Sequence, residues 1–378
     1  MKPKEDKKLK VIQLVPELIS GGVERGTLEI GKYLSELGHQ SIVISNGGRM
    51  VDQLSKEGSR HIQMSIHRKN PVSLLQVSKL RKLFLKEKPD IVHARSRVPA
   101  WLAFFATRKI DKSLRPKFLT SVHGFYSVNL YSKIMTHGDR VVCVSRSIKD
   151  YITSNYPNVD KKKIRVVSRG VNPDEFPIKY SPNANWLNYW QKSYPQIRGK
   201  FVVLLPGRIT RWKGQLDFVK MICKLKDLGV NAHGIFVGDA HPRKIQFKQE
   251  LSSFINSCPH ADSFSLLGTR DDLKEIMALS DVIVSCSTDP EAFGRVTLEA
   301  LSLGKPVAGY AHGGVEEQLS LLLPEGRIKV GEFNEMAHLL TSWATEKPCV
   351  LPNNDFTLQQ MLKGELDVYS EMSEILSL

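Results

Sequence analysis

The chain repeats one local theme: a short β-branched run, a turn bearing Gly or Ser, and then apolar residues at helical spacing. Lys10-Val11-Ile12-Gln13-Leu14-Val15 leads through Ser20-Gly21-Gly22 into a helical pattern over residues 23–37, with apolar residues at Leu28, Ile30, Tyr33, Leu34 and Leu37. Gly38 ends that helix, because glycine takes up the closing left-handed conformation without a Cβ clash. Further strand runs stand at residues 41–44, 90–94, 117–122, 140–144 and 164–168, with a helical pattern over 72–88. A helix crossing between successive strands makes those strands parallel. The expected fold class is therefore α/β, with doubly wound, Rossmann-like sheets.

The theme breaks once. Residues 169–200 carry Pro173, Pro177, Pro182 and Pro195 with few periodic apolar positions, apart from a local helix around Trp186 to Lys192. A second series begins at Lys200 and continues through strand runs at 234–238, 264–267, 281–285 and 305–308. The expected organisation is an N-terminal domain over 1–178, a linker over 179–199, a second domain over 200–357 and a final helix over 358–378.

Charge separates the two halves. Residues 1–200 hold 37 Lys and Arg against 16 Asp and Glu, a net +21, whereas the remainder holds 17 against 23, a net −6. Such asymmetry points the first half toward an anionic partner: a membrane surface, a phosphorylated acceptor or nucleic acid. The five cysteines are scattered without a Cys-x-x-Cys pair, which reads as reduced thiols in a cytoplasmic protein. No run approaches about 18 apolar residues, and the charged start Met1 to Lys8 reads neither as a signal peptide nor as a membrane span.

Three strand-to-helix turns carry candidate chemistry. In Ser20-Gly21-Gly22-Val23-Glu24-Arg25 the glycines let backbone approach a phosphate at a helix start, although such junctions also use glycine for conformation alone. The turn lacks the Gly-x-Gly-x-x-Gly spacing of nicotinamide enzymes. Gly207-Arg208-Ile209-Thr210-Arg211-Trp212-Lys213-Gly214 places two cations, Arg208 and Lys213, where the two phosphates of a nucleoside diphosphate could sit. Its Lys-Gly-Gln order is not that of a nucleotide-hydrolysing P-loop. The third turn, Glu291-Ala292-Phe293-Gly294 running to Glu299, sets one carboxylate on the loop and one two turns into a helix. Carboxylates beside an anion site suit hydroxyls rather than phosphate, so Glu291 is expected on a sugar and Glu299 on a ribose.

Together with Gly21-Gly22-Val23-Glu24, His123-Gly124 and Arg169-Gly170-Val171-Asn172, these motifs resemble family-four glycosyltransferases of the GT-B fold, particularly the lipopolysaccharide type. The match runs in order over nearly the whole chain. The resemblance implies two Rossmann-like domains facing across a cleft, with the final helix, about Leu358 to Leu376, crossing back to the first. It further implies retaining transfer from a nucleotide diphosphate sugar, of UDP or GDP type, with no cofactor and no metal. No Asp-x-Asp metal motif occurs in the chain. By the resemblance Arg208 and Lys213 hold and stabilise the departing diphosphate, and Glu291 binds the transferred sugar. His123 lies near that sugar. Gly21, Gly22, Gly238, Phe293, Gly294, Val296 and Glu299 line the donor, while Arg25, Phe125 and Tyr126 face the acceptor.

The first domain binds the acceptor in this fold, and it is the basic one. The helix over 72–88 either covers the sheet or lies on an anionic leaflet. A lipid-linked or phosphorylated glycan acceptor of cell-envelope or lipopolysaccharide synthesis follows, with the enzyme cytoplasmic and peripheral on the inner membrane face. Two other readings compete: a GT-B nucleotide-sugar epimerase, and a binding module for anionic lipid or nucleic acid. The second leaves Glu291 and Glu299 unexplained, so nucleic acid is not expected.

Overall fold

The computed structural model describes residues 8–69 and 71–374. The charged stretch Met1 to Lys7 and the last residues of the expected final helix lie outside them. The chain divides into two compact units, Met1–Ser168 with Gln359–Leu378, and Arg169–Leu358.

Unit 1 holds β1 (Lys10–Leu14), β2 (Gln40–Ser45), β3 (Arg60–Gln63), β4 (Ile91–Ala94), β5 (Lys117–Val122), β6 (Arg140–Cys143) and β7 (Ile164–Val166), in the spatial order β3-β2-β1-β4-β5-β6-β7. Every pairing is parallel. The central strands are buried along nearly their whole length, which is why they read as nearly continuous apolar runs. Strand β3, Arg-His-Ile-Gln, is half exposed at the sheet edge and has no such run, so sequence patterning misses it.

Helices cover the sheet through their apolar faces. Helix Gly22–Glu36 buries Leu28, Ile30 and Leu34, and Gly38 follows at φ 77° as expected. Helix Leu75–Glu87 buries Val77, Leu80 and Phe84 while Lys79, Arg81, Lys82 and Lys86 stay exposed. That face is buried, and the helix packs beside helix Arg97–Arg108. The final helix, Leu358–Glu374, buries Met361, Val368, Tyr369 and Met372, and from Gln359 onward it belongs to unit 1.

Unit 2 contains β8 (Phe201–Pro206), β9 (Ala232–Val237), β10 (Phe264–Leu266), β11 (Val282–Ser285), β12 (Val307–Tyr310) and β13 (Arg327–Ile328), again all parallel, in the order β10-β9-β8-β11-β12-β13. The proline-rich segment 179–199 holds helix Ala184–Ser193, whose Trp186 stacks on Trp190 at 5.0 Å and donates from Nε1 to Asp272 at 2.8 Å. Each sheet reverses its strand order once, between β1 and β4 in unit 1 and between β8 and β11 in unit 2. The loops leaving those strands flank the crevice where open α/β sheets bind ligands.

Candidate functional site

Strand order in unit 2 brings together two loops that are distant in sequence. Strands β8 and β11 are neighbours, so the Gly207–Gly214 turn meets the loop 286–294. The Lys213 ammonium lies 2.7 Å from Oε1 of Glu291, and the Ser287 hydroxyl donates to the same oxygen at 2.7 Å. Both charged side chains are mostly buried, at 17% and 18% exposure, so their attraction is screened less than a surface pair's. The Thr288 amide donates to the Trp212 carbonyl at 2.7 Å and knits the loops together.

The other cations of the turn differ. Arg211 is committed to Glu250, with both guanidinium contacts within 2.8 Å. Arg208 is exposed and has no ion pair among the described residues. Its backbone carbonyl, by contrast, is fixed by the buried Gln215 amide at 3.0 Å. One anchored ammonium and one unpaired guanidinium thus share a turn, an arrangement able to receive an anion with two charged groups.

Gly238 and Gly294 explain why two expected donor residues are glycine. Gly238 closes β9 at φ 132°, where a Cβ would sit 2.1 Å from the Gly207 carbonyl oxygen. Gly238→Ala should therefore destabilise the protein by more than about 1 kcal/mol and push the Arg208 turn outward. Urea unfolding and nucleotide affinity measured on one sample check both effects, and unchanged values would refute this packing. Gly294 precedes helix Arg295–Ser302 at φ 81°, where a Cβ would lie 2.9 Å from a Val315 methyl.

Because that helix starts at Arg295, Glu299 is its fifth residue and lies about one turn in, rather than the two turns expected. Glu299 is 9% exposed and accepts from Arg295 Nε at 3.2 Å; Val296 is half buried. Phe293 is buried and packs edge-on against Phe356 with centroids 5.8 Å apart.

Sequence reasoning missed the brace behind this loop. His312 Nε2 lies 2.7 Å from the Ser287 carbonyl, which can only accept, so Nε2 carries the proton. The Gly314 amide donates to the Glu291 carbonyl at 2.8 Å, and Gln318 Nε2 donates to that of Phe293 at 2.5 Å. Helix Gly313–Leu322 and its N-cap residue His312 thereby fix the loop at three carbonyls. The only sequence signal for Gln318 is an isolated amide on an otherwise apolar helix face.

In unit 1 the expected residues gather at the carboxyl ends of β1 and β5. Gly21, at φ 133°, precedes helix Gly22–Glu36. Burial, together with Glu17, raises the Glu24 carboxyl above its ordinary range despite its backbone hydrogen bond. Arg25 pairs with Glu29 at 3.0 Å on the same helix. His123 directly follows β5, and its amide donates to the Tyr126 hydroxyl at 3.3 Å. Burial raises that phenol, with the His123 hydrogen bond and Arg97 opposing. Phe125 packs edge-on against Tyr151 at 5.2 Å, and the Tyr151 hydroxyl donates to the Tyr126 carbonyl.

No helix among the described residues is long and apolar enough to cross a membrane. Residues 20–175 match the model of Glycosyltransferase Family 4, and residues 189–336 that of Glycosyl transferases group 1. A solved glycosyltransferase from Rickettsia africae is 33% identical with a TM-score of 0.83, over 97% of this chain and 98% of that one. The N-acetyl-alpha-D-glucosaminyl L-malate synthase of Bacillus anthracis is 27% identical over 82% of this chain and 81% of its own length. The UDP-Gal:alpha-D-GlcNAc-diphosphoundecaprenol alpha-1,3-galactosyltransferase of Escherichia coli is 28% identical over 79% of this chain and 78% of its own. With two parallel sheets, a helix returning to the first and both halves matched in order, the chain is a GT-B enzyme belonging to family 4 of the glycosyltransferases, a retaining transferase that uses a nucleotide sugar.

Proposed function

We propose that the enzyme moves a hexosyl group from a nucleotide diphosphate sugar to a lipid-linked or phosphorylated glycan in cell-envelope synthesis. The observation carrying the donor half is the pairing of Lys213 with Glu291 beside the unpaired Arg208. A diphosphate arriving at this turn takes Arg208 and competes with Glu291 for Lys213, which frees a carboxylate to accept sugar hydroxyls. Glu299 receives the ribose. Backbone amides at Gly22, Phe293 and Gly294 assist at phosphate or sugar, with Gly21, Gly238 and Val296 shaping the walls. His123 acts at the transferred sugar, while Arg25, Phe125 and Tyr126 face the acceptor.

The chemistry is mostly electrostatic. As the glycosidic bond breaks, negative charge builds on the leaving diphosphate, and cations already aimed there lower the barrier without reorganising. The acceptor hydroxyl then attacks from the face the diphosphate leaves, giving up its proton to that phosphate and retaining configuration.

For the acceptor, support comes from the net +21 of residues 1–200 and from the Escherichia coli relative, whose name specifies a diphosphoundecaprenol glycan. We place the enzyme on the inner face of the cytoplasmic membrane for the same reason. The test has two stages. A panel of nucleotide sugars is screened for thermal stabilisation, since a ligand that binds only the folded state raises its midpoint. The best donor, radiolabelled, is then incubated with polyprenyl-diphosphate-linked sugar or with no acceptor. Acceptor-dependent label in the lipid phase is expected; an epimerised donor without acceptor would replace this reading with an epimerase.

A further inference from the structure

One cluster in unit 1 has no part in the donor chemistry. The Arg97 guanidinium, immediately beyond β4, sits 4.4 Å from the Tyr126 ring centroid and 5.4 Å from that of Tyr131. Lys69 places its ammonium 5.5 Å from the same Tyr131 ring. Two cations thus share one aromatic ring, and neither is in ion-pair contact with a carboxylate among the described residues. Arg97 donates from Nη1 to the Ser132 hydroxyl at 3.2 Å, one of the five N–H bonds a guanidinium offers. The Tyr131 hydroxyl is enclosed and has no hydrogen-bond partner among the described residues.

The surroundings make this a site rather than a chance stack. Trp101 Nε1 donates to the Tyr131 carbonyl at 3.0 Å, and the Asn129 side chain accepts from the Ser132 amide at 2.8 Å, so the segment carrying the ring is pinned on both sides. A cation over tyrosine gains about 0.5–2 kcal/mol, which accounts for one charge on the ring but not for two uncompensated ones. The cluster also lies at the carboxyl ends of β4 and β5, the sheet edge where this class of fold takes ligands.

We infer that Lys69 and Arg97, both set against the Tyr131 ring, form a phosphoryl-binding site for the acceptor, with the Arg97 fork and the Lys69 ammonium taking the oxyanion. The inference rests on the acceptor reading above, which it deepens by naming the group recognised. The phosphoryl group can belong to a soluble phosphorylated sugar or to a lipid; the chemistry is the same.

The test requires no turnover. Phenyl phosphate is titrated calorimetrically into the full chain carrying Arg208→Gln and Lys213→Met, which silences the donor cations, with and without Lys69→Gln and Arg97→Gln. Saturable binding that weakens at least about tenfold in the paired variant is expected from the loss of charge-assisted hydrogen bonds. Equal affinity in the two, or no binding in the parent, overturns the site. Lys69→Gln alone, on an exposed side chain, carries the test should the paired variant unfold, and should weaken binding about threefold. Sedimentation with phosphatidylcholine vesicles, with and without phosphatidic acid, separates the sources. Parallel loss of phenyl phosphate and phosphatidic acid binding assigns the phosphoryl group to a lipid, and loss of phenyl phosphate binding alone assigns it to a soluble acceptor. Loss of vesicle binding alone leaves only general surface charge and overturns the site. Failure of every nucleotide sugar to support transfer would remove the transfer reading while leaving these binding results intact.

Discussion

Lys213→Met should lower kcat by about two to three orders of magnitude, the loss typical when one preorganised group is removed from a developing charge. The substitution keeps an unbranched apolar stem and deletes the ammonium, which sits 4.6 Å from the Trp212 ring centroid. Two effects then combine. The leaving diphosphate loses one of its two cations, and Glu291 keeps only the Ser287 hydroxyl of its two partners at Oε1. Because the charge matters most as the bond breaks, kcat should fall much further than KM rises. Arg208→Gln should lower kcat and raise KM together: that guanidinium is exposed and makes no ion pair among the described residues, so it is free to hold the donor before reaction as well as the diphosphate that leaves. Steady-state kinetics with one nucleotide sugar measures both. A Lys213→Met enzyme with unaltered kcat would remove the lysine from the mechanism, whatever its affinity.

The sequence made the loops legible and left their meeting hidden. Glycine at 238 and 294 marks backbone that a side chain would obstruct, and such requirements are local enough to read along the chain. Lys213 and Glu291 are 78 residues apart, and their contact depends on β8 and β11 being neighbours, a fact of strand order rather than of period. The same holds for His312, Gly314 and Gln318, whose roles arise because their helix packs behind the Glu291 loop. Strand β3 escaped detection for a different reason. At the sheet edge it buries too little to need an apolar run, so its sequence is free to be polar. Apolar periodicity reports burial, and it is silent wherever an element is held by hydrogen bonds alone.

The return of the final helix to unit 1 depends on a buried ion pair, and Glu365→Ala is expected to cost about 3–5 kcal/mol. Arg95 and Glu365 are 1% and 2% exposed. The guanidinium donates to both carboxylate oxygens, at 3.2 and 2.5 Å, and through Nε to Gln13 at 2.7 Å. Removing the carboxylate leaves a desolvated cation that cannot lose its proton, so the penalty falls on folding. Beside it His93 is bonded to Tyr369 at 2.8 Å and to Ser121 at 2.6 Å, so loosening the helix disturbs a second buried contact. Glu371 on the same helix is the control. It accepts from Arg140 and Arg165 but is 32% exposed, so Glu371→Ala should cost no more than about 1 kcal/mol. Burial alone would raise the Glu371 carboxyl, yet the two arginine hydrogen bonds outweigh it and hold the group below its ordinary range. Its contribution is therefore present above the unfolded carboxylate range and fades as pH falls through the lower folded value. Hydrogen exchange of the final helix, measured at neutral and acid pH, reads these effects locally, which matters because a chain of two units need not unfold in one step. Arg95→Met combined with Glu365→Met should recover most of the loss, since an apolar pair of similar volume has no charge to desolvate. If Glu365→Ala left the exchange of the helix unchanged, the ion pair would not be what secures the helix, and its attachment would have to come from the apolar contacts of Met361, Val368 and Met372.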